Sequence, residues 1–276
     1  MMRNQAFARI PRARNSWPAL LLATWLAWPA LAGAQGAPVG ELELIQGRAK
    51  IAHGNETIVI DKLGAKRPLA EGDIVQTGTD GRAAIRIVDT KDTVQLYASS
   101  YFQVQAAKPA KTSFVLSVGK ALFNVLRTSQ DRAFGVQTPT AAIGVKGTEF
   151  VVGFDGDTTY LLTVAGKVGI VNSAFQQREI VADANQASAS RPRQVPTPPL
   201  KVKPEQIDKI VKEDRLDTLR QLPFRSQEQQ RQEQNLKQSR EAQENVTTKK
   251  EEVIRTQGAG GGQTGVKIVP VCGANC

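Results

Sequence analysis

Histidine is almost missing from this chain: His53 is the single one among 276 residues. Histidine is the side chain whose unperturbed pKa suits proton transfer near neutrality, so general acid–base catalysis of the common kind has one candidate. That candidate sits beside Gly54-Asn55, which reads as a hairpin turn at the surface. Cysteine is confined to Cys272 and Cys276. A zinc site built on a Cys/His framework and a disulfide through the core are therefore both excluded from the body of the chain. Aromatic residues make up 5% of the sequence, and all three tryptophans (Trp17, Trp25, Trp28) fall near its start. No Gly-x-Ser-x-Gly elbow, phosphate-cradling loop or His-Glu-x-x-His motif occurs. The expectation is a non-enzymatic protein with no cofactor and no metal.

What is present begins with an export signal. Arg3, Arg9, Arg12 and Arg14 precede the apolar run from Trp17 to Leu31, and Ala32-Gly33-Ala34 supplies small residues for a signal peptidase, placing cleavage before Gln35. The run is about 15 residues, short of the ~20 a spanning helix needs, and no later apolar stretch matches it. An uncleaved membrane anchor is the competing reading. Residues 1–34 are read as a cleaved signal peptide, the mature chain as periplasmic and without stable membrane insertion. The net charge of +10 belongs largely to the leader and the tail, because acids and bases nearly balance between residues 35 and 190. A nucleic-acid partner, which would call for a clustered basic patch on a folded face, is not expected.

Residues 35–189 follow a strand period. Ala83, Ile85 and Ile87 share one parity, as do Val94 and Leu96, then Phe114, Leu116 and Val118, then Phe134 and Val136, then Tyr160, Leu162 and Val164. Such alternation, broken by Gly, Asp, Asn or Pro, predicts an all-β domain, a short-stranded β-solenoid or sandwich. Residues 190–204 form a Pro-rich linker that cannot continue a ladder. A charged tail follows over residues 205–256, helical or disordered, with a helix predicted from about Glu205 to Leu222 and a solvated face favoured over a docked one. Residues 257–276 are a Gly-rich terminus in which an oxidising compartment favours a disulfide of Cys272 and Cys276, local or intermolecular, over free thiols. The acid pairs Asp89/Asp92 and Asp155/Asp157 complete no calcium loop or glycosidase motif and read as solvated turn residues.

One block is more specific than the rest: Gln137-Thr138-Pro139-Thr140-Ala141-Ala142-Ile143-Gly144-Val145-Lys146-Gly147-Thr148-Glu149-Phe150. Together with Gly72-Asp73-Ile74-Val75-Gln76-Thr77-Gly78 and the strands between, it resembles the FecR domain, the periplasmic sensor module of ferric-citrate-type regulators. The resemblance spans roughly residues 40–175. It departs at Asp89-Thr90-Lys91-Asp92-Thr93, where the family has an Asp-Gly-Ser turn, at Lys146 in place of arginine, and at Ala165-Gly166 in place of Glu-Gly. Lysine keeps the charge and loses the bidentate fork. With neither a sigma-factor-binding segment nor a retained span in this sequence, only the domain is carried over.

The resemblance implies a protein partner in the cell envelope, in signalling or assembly; a glycan or peptidoglycan fragment is the alternative, weakened by the scarcity of aromatic rings. Gly72, Asp73, Thr138, Pro139, Gly144, Gly147 and Thr148 are read as structural. Lys146 and Glu149, three residues apart, are the candidate binding pair, with a mutual ion pair as the competing structural reading.

Overall fold

Because successive side chains of a strand point to opposite faces, the short alternating runs must bury one parity against a second layer. The computed structural model describes residues 38–108, 111–126, 133–145 and 147–258. Residues 1–34, read above as a signal peptide, and Lys146, Cys272 and Cys276 lie outside the described residues. Two layers of strands face each other. The first runs in the order β4 (Lys66–Leu69), β1 (Gly40–Gln46), β6 (Arg82–Ile87), β7 (Thr93–Leu96), β9 (Lys111–Asn124), β12 (Glu149–Phe154), β13 (Thr159–Ala165), β16 (Gln186–Ser190) and β17 (Leu200–Lys201). The second runs β3 (Glu56–Ile60), β2 (Ala49–His53), β5 (Ile74–Thr77), β8 (Tyr101–Lys108), β9 again, β10 (Ala133–Gln137), β11 (Ala141–Val145), β14 (Lys167–Asn172) and β15 (Phe175–Asp183). The chain changes layer after every strand or two, so each crossing adds one rung to a growing stack. All pairings are antiparallel except β9 with β10. The expected all-β, sandwich-like architecture is what the chain adopts, open rather than closed into a barrel.

Strand β9 belongs to both layers. Its first half pairs with β8 and β10, its second half with β7 and β12. The change of layer falls at Gly119, whose φ is +98° and whose missing Cβ would stand 2.5 Å from Ser100 Cα. No L side chain fits that combination of backbone angle and space. Between the layers the inward residues form one apolar core in which the rings of Phe102, Phe114, Phe123, Phe134 and Phe150 touch in series, with Phe123 and Phe150 stacked at 4.9 Å.

The first layer is buried on its outer face too. Val151, Tyr160, Leu162, Ala187 and Ala189 point away from the main core into a second cluster with Val202, Ile207, Ile210, Leu216, Leu219 and Leu222. Those last residues come from helix α1 (Pro204–Lys212), helix α2 (Asp217–Arg220) and their flanks. Pro204 opens α1 at the position where a missing N–H costs nothing, and Lys209 and Lys212 lie in its last turn, where cations suit the helix dipole. Gly153 on β12 lets Leu216 lie against the sheet, since a Cβ there would meet Leu216 Cδ2 at 2.1 Å.

The favoured reading of a solvated face therefore differs from the structure over residues 204–222, where the sparse apolar anchors all turn the same way. The Pro-rich stretch is likewise folded back: Thr197 N–H donates to the Ala189 carbonyl at 2.8 Å, Ala189 N–H donates to Thr197 Oγ1, and β17 then pairs with β16. Helix α3 (Gln227–Gly258) keeps the polar character of the tail, with Leu236 and Val246 exposed. No helix among the described residues is long and apolar enough to cross a membrane.

Leu219→Ala should cost about 2–5 kcal/mol in urea unfolding, because it empties a fully buried site between α2 and the sheet. Leu236→Ala on exposed α3 should stay within about 0.5 kcal/mol of the parent. Equal effects of the two would contradict the docking of α2.

Candidate functional site

The signature block threads the domain from end to end. Its Thr-Pro-Thr start forms the turn between β10 and β11, and there both threonine hydroxyls are buried. Thr138 Oγ1 donates to the Ala141 carbonyl at 3.1 Å and accepts from Ala141 N–H at 3.0 Å. Thr138 and Thr140 each lie 2.6 Å from Thr159 Oγ1 on β13, in the opposite layer. Thr140 Oγ1 donates to the Ser190 carbonyl, Ser190 Oγ returns a bond to the Thr140 carbonyl, and Asn172 Nδ2 donates to Ser190 Oγ at 3.0 Å. Buried hydroxyls must be paired. Here the pairing ties the two layers together, so Thr138 and Thr140 act inside the fold, with Pro139 setting the turn between them.

At the other end of β11 the chain crosses back. Gly147 has φ +63°, a left-handed conformation that disfavours any side chain. The Thr148 carbonyl accepts from Val125 N–H at 2.9 Å, while its hydroxyl is buried without a partner among the described residues. Glu149 is half-buried, pairs with Asn124 and Ala165, and stands at a bulge in β12. Gly144 is exposed in the middle of β11, between Gly135 and Gly169 of the neighbouring strands. With Lys146 outside the described residues, its pairing with Glu149 carries no geometry.

Gly72 and Asp73 close another turn. Asp73 is buried, accepts Ala70 N–H at 2.8 Å through Oδ2, and lies 2.5 Å from His53 Nδ1 through Oδ1. The only histidine thus flanks a turn-locking carboxylate. One acid of each pair departs from the expected solvation, whereas Asp89 and Asp157 are exposed as expected. Asp92 is fully buried and accepts Leu126 N–H at 2.9 Å. Asp155 accepts from the N–H groups of Asp157 and Thr158 and from the Tyr160 hydroxyl, and faces Arg220 at 3.2 Å. Burial alone would raise its pKa, but those bonds and Arg220 hold it below the ordinary carboxylate value. Both are held by backbone and side-chain donors of the fold, and no group of three or more metal-binding side chains forms among the described residues. Tyr97 and Tyr160 are buried, leaving Tyr101 as the one partly exposed tyrosine for stacking a sugar.

The most concentrated polar chemistry lies where sequence reasoning did not look, under the C-terminus of α1. Lys120, one residue past the Gly119 bend, is buried on the outer face of the first layer and donates through Nζ to the carbonyls of Ile210 and Glu213. Its ammonium lies 4.1 Å from the Tyr97 ring centroid, and the Tyr97 hydroxyl donates to the Val211 carbonyl at 2.5 Å. Arg82 pairs with Asp214 and donates to the Lys212 carbonyl. Three side chains, from β6, β9 and the residue after β7, thereby satisfy the free carbonyls at the end of one helix. Burial pushes Lys120 down to about 8, opposed by the Glu213 carboxylate, and pushes the Tyr97 hydroxyl up to about 12. The available signal was parity: Lys120 sits in β9 with Leu122 on a face that Val151 and Leu162 make apolar.

Residues 73–169 match the family model described as FecR protein. No curated protein matches the chain. Two crystal structures of a candidate anti-sigma factor from Parabacteroides distasonis ATCC 8503, at 2.50 and 1.65 Å resolution, are each 15% identical over 50% of this chain, with a TM-score of 0.43. The chain covers 63% and 64% of their lengths.

Two outcomes test this geometry. Gly147→Val should cost on the order of 1 to 3 kcal/mol through backbone strain, read as a lower thermal midpoint; a parental melt would remove the architectural role of that glycine. For Lys120 the folded value of about 8 lies below the ordinary 10.5, so between those values the unfolded chain holds the extra proton and stability rises with pH. For Tyr97 the folded value of about 12 lies above the ordinary 10.0, so above pH 10 stability falls. Lys120→Met should abolish the rise from pH 8 to 10 and keep the fall beyond it. Superimposable profiles below pH 10 would contradict the buried ammonium.

Proposed function

Taking residues 73–169 as a FecR domain, we propose that this chain is an exported, non-enzymatic interaction module of a bacterial envelope that binds a protein partner through its β domain, in signalling or assembly. The observation that carries the reading is the division of labour within the signature block. Thr138 and Thr140 are consumed by bonds between the layers and Gly147 by its backbone angle. Glu149 is left half-exposed beside that turn, three residues after Lys146 in sequence. A partly exposed carboxylate, within the stretch that gives the resemblance its specificity, is where recognition of a partner is economical to place. The Arg-rich leader with Ala32-Gly33-Ala34 supports export.

A photo-crosslinking residue at position 146, introduced into intact cells, should capture a specific envelope protein, and capture should drop when Glu149→Lys is added. Lys146→Ala should alter the melt by at most about 1 kcal/mol, the value of an exposed ion pair. The mature protein should begin at Gln35 and fractionate with soluble periplasmic material. Unchanged capture in Glu149→Lys would remove the recognition role, and an intact leader in the mature mass would remove export.

A further inference from the structure

The two layers end in four outer strands, and three of these are protected. In β4 the sequence Lys66-Arg67-Pro68 presents charge and a residue without an N–H, a common guard of sheet edges, and Lys66 is tied to Glu41 at 3.0 Å. β17 has two residues and runs directly into α1. Beside β15, Arg178 and the first turns of α3, through Gln227, Glu228 and Arg231, line a common cleft. β3 differs: among the described residues it pairs with β2 alone, while Ile58 is 47% and Val59 56% exposed.

The direction of its free backbone groups follows from the hairpin. Gly54 and Asn55 form a two-residue turn, Gly54 with φ +56°, which makes His53 and Glu56 the first hydrogen-bonded pair. Pairs alternate along an antiparallel ladder, so Ile58 and Ile60 also bond toward β2. Thr57 and Val59 therefore point N–H and C=O outward, to an edge with neither charge nor proline on the strand's central residues.

We propose that β3 is a self-association edge, at which a second copy of this chain adds its own β3 antiparallel about a two-fold axis through Val59. This goes beyond the partner proposed above and does not depend on it. Centred there, Val59 faces the partner's Val59, Ile58 faces the partner's Ile60, Thr57 faces the partner's Asp61, and Glu56 comes opposite the partner's Lys62 in the bend that follows. Apolar residues meet apolar ones and acid meets base, the combinations that favour cross-strand pairs. Centring the axis on Ile58 instead would set Glu56 against Ile60, and centring it on Thr57 would set Glu56 against Ile58. The occupant that satisfies the edge is thus written in the edge itself. Ile58 shares the inward parity of Ile51, so the added strand continues the core across the axis.

Sedimentation velocity of the full mature chain over a concentration series at low salt should show a monomer–dimer equilibrium. Val59→Pro removes an N–H that β2 does not use, so it should abolish the dimer while leaving the circular dichroism spectrum unchanged. If that variant melts early, Val59→Lys in the folded chain tests the same edge. Glu56→Lys and Lys62→Glu should each weaken association about tenfold, and the double exchange should restore it. A parent that stays monomeric throughout overturns the proposal, including the case in which β3 serves another protein's strand. So does a dimer that survives the Val59 substitutions, or a double exchange that restores nothing.

Discussion

One strand must belong to two sheets at once, and the rest of the molecule depends on how it does so. β9 turns from the second layer into the first at Gly119, where the backbone is left-handed and Ser100 leaves no room for a side chain. Ser100 is also the clamp at that bend: its hydroxyl donates to the Lys120 carbonyl and accepts Lys120 N–H at 3.0 Å. Before the bend β9 sends Phe114 and Leu116 into the core from one side; after it, Phe123 enters from the other. The ring contacts that join the layers are therefore set by one change of direction.

The same bend aims Lys120 outward. A lysine buried among Val151, Leu162 and the helices would be costly if its charge were unmet. The carbonyls at the end of α1 and the Tyr97 face meet it, so the ammonium holds the helix and the helix shelters the ammonium. This reciprocity fixes which surfaces remain for other molecules. The outer face of the first layer is taken by α1 and α2, whereas the second layer keeps exposed side chains such as Val118 and Val181, beside the loop end bearing Glu149 and the edge formed by β3.

Much of this was legible in the residues. The parity of Ala83, Ile85 and Ile87, or of Phe114 and Leu116, announces strands with one buried face, and the Thr-Pro-Thr and Gly-Thr elements around β11 mark the domain. The second layer of burial was written more faintly. Residues 150–154 and 160–164 run apolar on both parities, the pattern of a strand covered on both sides, yet nothing local says that the cover comes from Ile207, Ile210 and Leu219 some fifty residues later. Lys120 was illegible for a related reason. A lysine in an alternating strand reads as a solvated position until the helix end that it caps is placed above it. Asp92 and Asp155 likewise read as exposed turn acids, because the donors that hold them include Leu126 and Arg220, far away in sequence.

Hydrogen–deuterium exchange on Gly119→Ala, beside the parent and under the same native conditions, tests the central role of the bend most directly. If β9 couples the layers, adding one methyl group should lower protection together in β8 and β10 of the second layer, in β7 and β12 of the first, and in α1, with a global loss on the order of 3 kcal/mol. Loss of protection confined to one layer, or α1 protected as in the parent, would contradict the account.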